Sequence, residues 1–157
     1  MFDQDAYKIP KLKKEFQIQL NDGTKTLQKF IFFLNEYSKY SAEQQTILEF
    51  LNDEQTMVSS IQSQLGKNGI FSIINKNEIC YILDDNVHPA PSATPQNEAV
   101  FVLKTGQKLN ASIYQRTQAG QSRMIDYLST PGQFVELVMD RKYFIYLNKN
   151  FILKVVL

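Results

Sequence analysis

Apolar and polar residues alternate along most of this chain with the period of two that marks a strand half-buried against a core. Phe16, Ile18 and Leu20 are separated by Gln17 and Gln19, then run into Asn21-Asp22-Gly23, which tolerates the positive φ angles of a hairpin turn. Leu27 and Ile31 predict the return strand. The period then changes. Ile47, Leu48 and Leu51 fall at i, i+1 and i+4, one face of a short helix, and Ser41-Ala42-Glu43-Gln44 ahead of them reads as a capping box. Strands are expected again at Met57-Val58, at Phe71-Ser72-Ile73-Ile74 and from Ile79. The last two pivot on Asn75-Lys76-Asn77, whose asparagines predict a type I′ turn.

The same order recurs further along, and a recurrence of this length reorganises the whole reading. Val100-Phe101-Val102-Leu103 leads to Lys104-Thr105-Gly106, then to Leu109 and Ile113. Met124, Ile125 and Leu128 repeat the helical spacing, and Thr130-Pro131-Gly132 stops it. Phe134-Val135 matches Met57-Val58, and Asp140-Arg141-Lys142 marks a tight turn. Phe144-Ile145-Tyr146-Leu147-Asn148-Lys149-Asn150 then Ile152 matches Phe71 through Asn77 then Ile79. The first copy is longer between Leu34 and Gln45 and between Ser59 and Gly69, where connections belong. The expected fold is mainly β (α+β), a tandem repeat of two small β-β-α-β-β-β units related by a pseudo-two-fold axis. Each unit is a curved sheet or small barrel with one short helix. The boundaries are a basic leader over 1–13, a first repeat over 14–83, a Pro-rich linker over 84–98 and a second repeat over 99–157.

Three segments are apolar on both faces: Phe30-Ile31-Phe32-Phe33, Ile70-Phe71-Ser72-Ile73-Ile74 and Tyr143-Phe144-Ile145-Tyr146-Leu147. Such strands want cover on both sides. Units of roughly seventy residues are near the lower limit for a self-sufficient core. The cover is therefore expected from the other copy or from a partner, another protein or a second copy of this chain. Phe30, Phe32, Phe33, Tyr143 and Tyr146 are the candidate interface.

Charge and chemistry narrow the function further. The 17 basic and 16 acidic side chains leave a net charge of +1, without the excess that draws a protein to nucleic acid. One cysteine rules out an intrachain disulfide, and one histidine makes a Cys/His zinc site improbable. No run approaches the ~20 apolar residues that span a bilayer, so membrane insertion is not expected. Met1-Phe2-Asp3-Gln4-Asp5 is acidic where a secretory signal is basic, which points to a cytoplasmic protein. His88 lies in the linker beside Pro89, and Cys80 has no histidine to activate it, so it reads as an inert thiol. Gly66-Lys67-Asn68-Gly69 lacks the remaining residues of a phosphate loop and reads as a hairpin turn. No catalytic residue, metal or cofactor is expected. Lys8, Lys11, Lys13 and Lys14 form one basic cluster near Pro10, read chiefly as a soluble leader.

The strand, Gly-turn, strand pattern over 16–31 and 101–113, with closing strands around a polar triplet, resembles the Sm-like small β-barrels, including bacterial Hfq. It is also similar to a family of bacterial proteins with a duplicated version of this unit. The resemblance implies RNA contact at the triplets Asn75-Lys76-Asn77 and Asn148-Lys149-Asn150. Sm-like units carry their helix before the first strand, whereas here it falls in mid-repeat. The expected function is a non-enzymatic protein-interaction or scaffold module in a bacterial cytoplasmic assembly. The alternative is a nucleic-acid or nucleotide-phosphate binder using Lys11, Lys13, Lys14, Lys76, Arg123 and Lys149, with salt-sensitive binding.

Overall fold

The structure, a computed structural model, describes residues 11–40, 43–64, 67–89, 96–113 and 124–157. The first half comprises β1 (Lys11–Leu20), β2 (Gln28–Asn35), α1 (Ile47–Asn52), β3 (Met57–Gln64), β4 (Lys67–Asn75) and β5 (Ile79–Asp84). The second comprises β6 (Gln96–Leu103), β7 (Lys108–Ile113), α2 (Met124–Leu128), β8 (Phe134–Met139), β9 (Tyr143–Asn148) and β10 (Ile152–Val156). All ten strands pair antiparallel in one unclosed sheet of order β10-β6-β7-β8-β9-β5-β1-β2-β3-β4. Its edges are β10 and β4.

Local chemistry explains the connections. Gly106 at φ +90 closes a tight β6–β7 hairpin, its amide donating to the Leu103 carbonyl at 2.9 Å. The β1–β2 connection is longer. Asp22 accepts from the Thr24 amide and the Gln28 side chain, and Leu27 precedes β2 instead of lying in it. Asp140 and Arg141 at φ 53 and 58 are the central residues of the tight turn between β8 and β9, which the Lys142 amide closes by donating to the Met139 carbonyl at 3.0 Å. The Asn-Lys-Asn triplets differ from expectation. They form 3-10 turns over Lys76–Glu78 and Lys149–Phe151, preceded by Asn75 at φ −82 and Asn148 at φ −73. Each asparagine oxygen accepts from the amide two residues on, at 2.9 and 3.0 Å. A side chain that caps the turn removes the need for positive φ.

The α1 cap also moves. Thr46 Oγ1 accepts from the Glu49 amide at 3.1 Å, a box one turn later than the sequence predicts; Ser41 and Ala42 lie outside the described residues. Gln45, just before this cap, accepts from the Asn35 amide through its Oε1 at 2.9 Å. In β2 the buried face is Phe30, Phe32 and Leu34, so Phe32, not Ile31, occupies the place that Ile113 holds in β7. β1 begins at Lys11 and β6 at Gln96, each inside a segment expected to be leader or linker.

The two halves agree in strand order and in register. Ile18 faces Ile82 and Leu20 faces Ile79, with a bulge between; Phe101 faces Val155 and Leu103 faces Ile152, with a bulge at the same place. β3 meets β4 from Met57 opposite Asn75 to Gln62 opposite Ile70, and β8 meets β9 from Phe134 opposite Asn148 to Met139 opposite Tyr143. A two-fold axis would join like strands at the centre. The centre instead joins the fifth strand of the first half to the fourth of the second, a head-to-tail order, so the expected pseudo-two-fold arrangement is not the one formed.

Apolar burial is divided into two cores that trade side chains across this seam. The first core is built on Phe16, Ile18, Phe32 and Leu51, and Phe134, Phe144 and Tyr146 from the second half complete it. The second is built on Phe101, Ile113, Leu137 and Ile145, and Cys80, Tyr81 and Leu83 enter it from β5.

Candidate functional site

Among the described residues no group of three or more His, Cys, Asp or Glu could hold a metal. Cys80 is fully buried in β5, and burial pushes its thiol up to about 11, so it stays protonated at neutral pH. His88 is exposed, its Nδ1 3.3 Å from the Lys142 carbonyl. A cleft of about 540 Å³ beside β6, β7 and β10 contains Glu98, Asn110, Asp140 and Arg141, and Glu98 is engaged by Arg141. Ser112, also in its lining, is buried and donates its hydroxyl to the Val138 carbonyl at 3.5 Å. No helix among the described residues is long and apolar enough to cross a membrane.

A polar cluster lies beside the seam. Glu136 on β8 faces Tyr146 on β9. Burial raises the Glu136 carboxyl above its ordinary range; the Tyr146 hydroxyl opposes this by donating to it, and the charge of Asp84 reinforces it. Tyr127 donates from its hydroxyl to the Glu136 carbonyl at 2.6 Å, and burial pushes that phenol up to about 12. These groups satisfy one another inside the protein.

The predicted cations are dispersed. Lys76 is buried, and its ammonium donates to the Phe50 and Asp53 carbonyls, both at 3.0 Å, at the end of α1. Lys149 does the same at the end of α2, donating to Leu128 and Thr130 at 3.2 and 2.6 Å. Each lysine supplies donors and positive charge to the orphan carbonyls of a helix C-terminus. Burial lowers the Lys76 pKa, with Asp53 opposing. Lys11, Lys13 and Lys14 stand on exposed positions of β1, where Lys11 donates to Asn35. Successive residues of a strand point to opposite faces, so Lys13 and Lys14 do not share one. Arg123, Lys8 and Gly66 lie outside the described residues.

The candidate interface aromatics divide differently from expectation. Phe30, Phe32 and Tyr146 are buried within the chain, while Phe33 and Tyr143 are half-buried. Tyr37, Tyr40, Val87 and Ile125 are exposed singly in connections and on α2, and the remaining bare apolar side chains lie at the two ends of the sheet. On the β3–β4 hairpin Met57, Phe71 and Ile73 are 50%, 78% and 71% exposed. On β10 Leu153 and Val156 are 63% and 50% exposed, with Leu157 just beyond. Phe71 and Ile73 lie two apart on one face of β4, where edge strands commonly carry charge instead. β10 carries a single charge, Lys154. The run Ile70 to Ile74 signalled this surface in the sequence; its position on an edge did not follow from any local pattern.

No family model matches the chain, and neither does any curated protein or solved structure.

Proposed function

We propose that this chain is a non-enzymatic protein-interaction module, made by doubling one five-stranded unit and acting as a structural component of a larger assembly. The matched registers of the two halves, bulge for bulge, support the doubling. The observation that carries the function is the pair of bare edges: β4 and β10 carry exposed apolar side chains, and among the described residues each has a strand on one side only. An edge of this kind recruits another strand. Lys76 and Lys149, the loop cations that nucleic-acid contact would need, are already held by helix carbonyls.

The test uses wild type and an edge-blocked variant, Phe71→Lys with Ile73→Lys, as baits in an extract of the source organism. The expected result is a protein, a copy of this chain or another, held by wild type and lost from the variant. Identical retention by both baits, with wild type monomeric by light scattering, overturns the reading.

A further inference from the structure

The seam between the halves has a counterpart at each end of the sheet. Under the matches above, Phe134, Phe144 and Tyr146 correspond to Met57, Phe71 and Ile73. The first three cross from the second half into the first core and are buried or packed against it; the other three are among the exposed apolar side chains. The β5 residues Cys80 and Leu83, buried in the second core, correspond to Leu153 and Val156, which are also exposed. Both sides of the seam are thus present again, uncovered, one at each end of the sheet.

From this correspondence we infer that a second copy of the chain covers each edge, β4 of one copy pairing antiparallel with β10 of the next. This rests on the doubled-unit reading. Within the chain Tyr81, Ile82, Leu83 and Asp84 face Leu147, Tyr146, Ile145 and Phe144. The corresponding register between copies sets Lys154, Val155, Val156 and Leu157 opposite Ile74, Ile73, Ser72 and Phe71. Asn148, fully buried, donates across the seam to the Ile79 carbonyl at 2.9 Å. Asn75 holds the matching position and donates to Ile152 of the neighbouring copy. The contact joins unlike surfaces, so it repeats from copy to copy and closes into a ring where the rotation allows.

The register is read by cross-linking. Cross-strand partners lie within the Cα separation a disulfide accepts, and Cys80 is buried. Copies carrying Ser72→Cys are mixed with copies carrying Val156→Cys and oxidised. A disulfide-linked pair containing one of each is expected, with neither variant linking to itself. Light scattering is expected to find wild type as a multimer and the Phe71→Lys, Ile73→Lys variant as a monomer with an unchanged circular dichroism spectrum. Self-linking of Ser72→Cys, which signals a two-fold contact of like edges, overturns the inference, as does a wild type that is monomeric throughout its soluble range. Should the lysine variant unfold, cross-linking between the two folded cysteine variants decides alone. A monomeric wild type that still holds a different protein through its edges defeats the self-assembly and leaves the interaction module standing.

Discussion

At the β5–β9 seam, Phe134 and Tyr146 are almost fully covered by the opposite half of the chain; at the β4 edge, Met57, Phe71 and Ile73 stand mostly in water. The two places resemble each other in residue type, register and turn chemistry. They differ in whether a strand lies alongside. At the seam the apolar side chains, the buried Asn148 amide and the two-sided cover of β5 form one cooperative unit. At the edge the same kinds of group contribute little to the single chain. Burial, not composition, decides what an aromatic residue on a strand is worth.

Substitutions at matching positions test that difference, and the largest effect is expected in the cores. Phe134→Ala removes an aromatic ring from the first core and should cost about 3–5 kcal/mol in urea denaturation. Met57→Ala, in the edge-blocked variant, should fall within about 0.5 kcal/mol of its parent, as exposed substitutions do. Equal costs would erase the distinction between seam and edge. Next come the lysines. Lys76→Met leaves the Phe50 and Asp53 carbonyls without their shared donor and should cost about 1.5–3 kcal/mol, the range for hydrogen bonds to a charged group. Lys149→Met, at a half-buried position, should cost less in the same assay.

Gly132 separates strain from crowding. It sits at φ +108, and an added Cβ would meet the Asn52 side-chain amide at 2.7 Å. That amide pairs with the Phe134 backbone, its Oδ1 accepting at 2.8 Å and its Nδ2 donating at 3.2 Å, so it pins α1 to β8 across the halves. Gly23 has a similar φ of +83 with nothing around it. Gly23→Ala should show only the left-handed backbone cost of about 1–2 kcal/mol, and Gly132→Ala more. If the two match, the Asn52 contact contributes nothing.

The smallest expected effect is a change in pH slope. Burial raises the Glu136 pKa in the folded state. Its contribution to stability is therefore complete below the ordinary carboxylate pKa and is lost as pH rises through the higher folded value. Glu136→Gln should gain on wild type between pH 4 and pH 7 when thermal midpoints are compared. A constant difference across that range would remove the seam cluster as a source of pH dependence.

Much of the architecture was legible in local pattern. Period-two alternation located the strands, the i, i+1, i+4 block at Ile47 located α1, and Asp140-Arg141-Lys142 located a tight turn. The matched segments around Asn75 and Asn148 also align in strand register. Errors came where one local sequence suits two conformations. The Asn-Lys-Asn triplets are capped 3-10 turns, and the helix cap falls on Thr46, five residues after the expected Ser41. Lys76 and Lys149 looked like loop cations because their partners, carbonyls some twenty residues back in the chain, belong to no local motif.

What the amino-acid sequence determined by itself was where most strands and the two short helices fall, because each depends on neighbours only a few residues away. The tertiary structure alone decided which strands are central and which are edges. β5 and β10 follow the same turn chemistry, yet β9 lies against β5, and among the described residues β10 has one neighbour. Strand pairing is a long-range choice, and it determines whether an apolar residue contributes a buried core or a surface open to a partner.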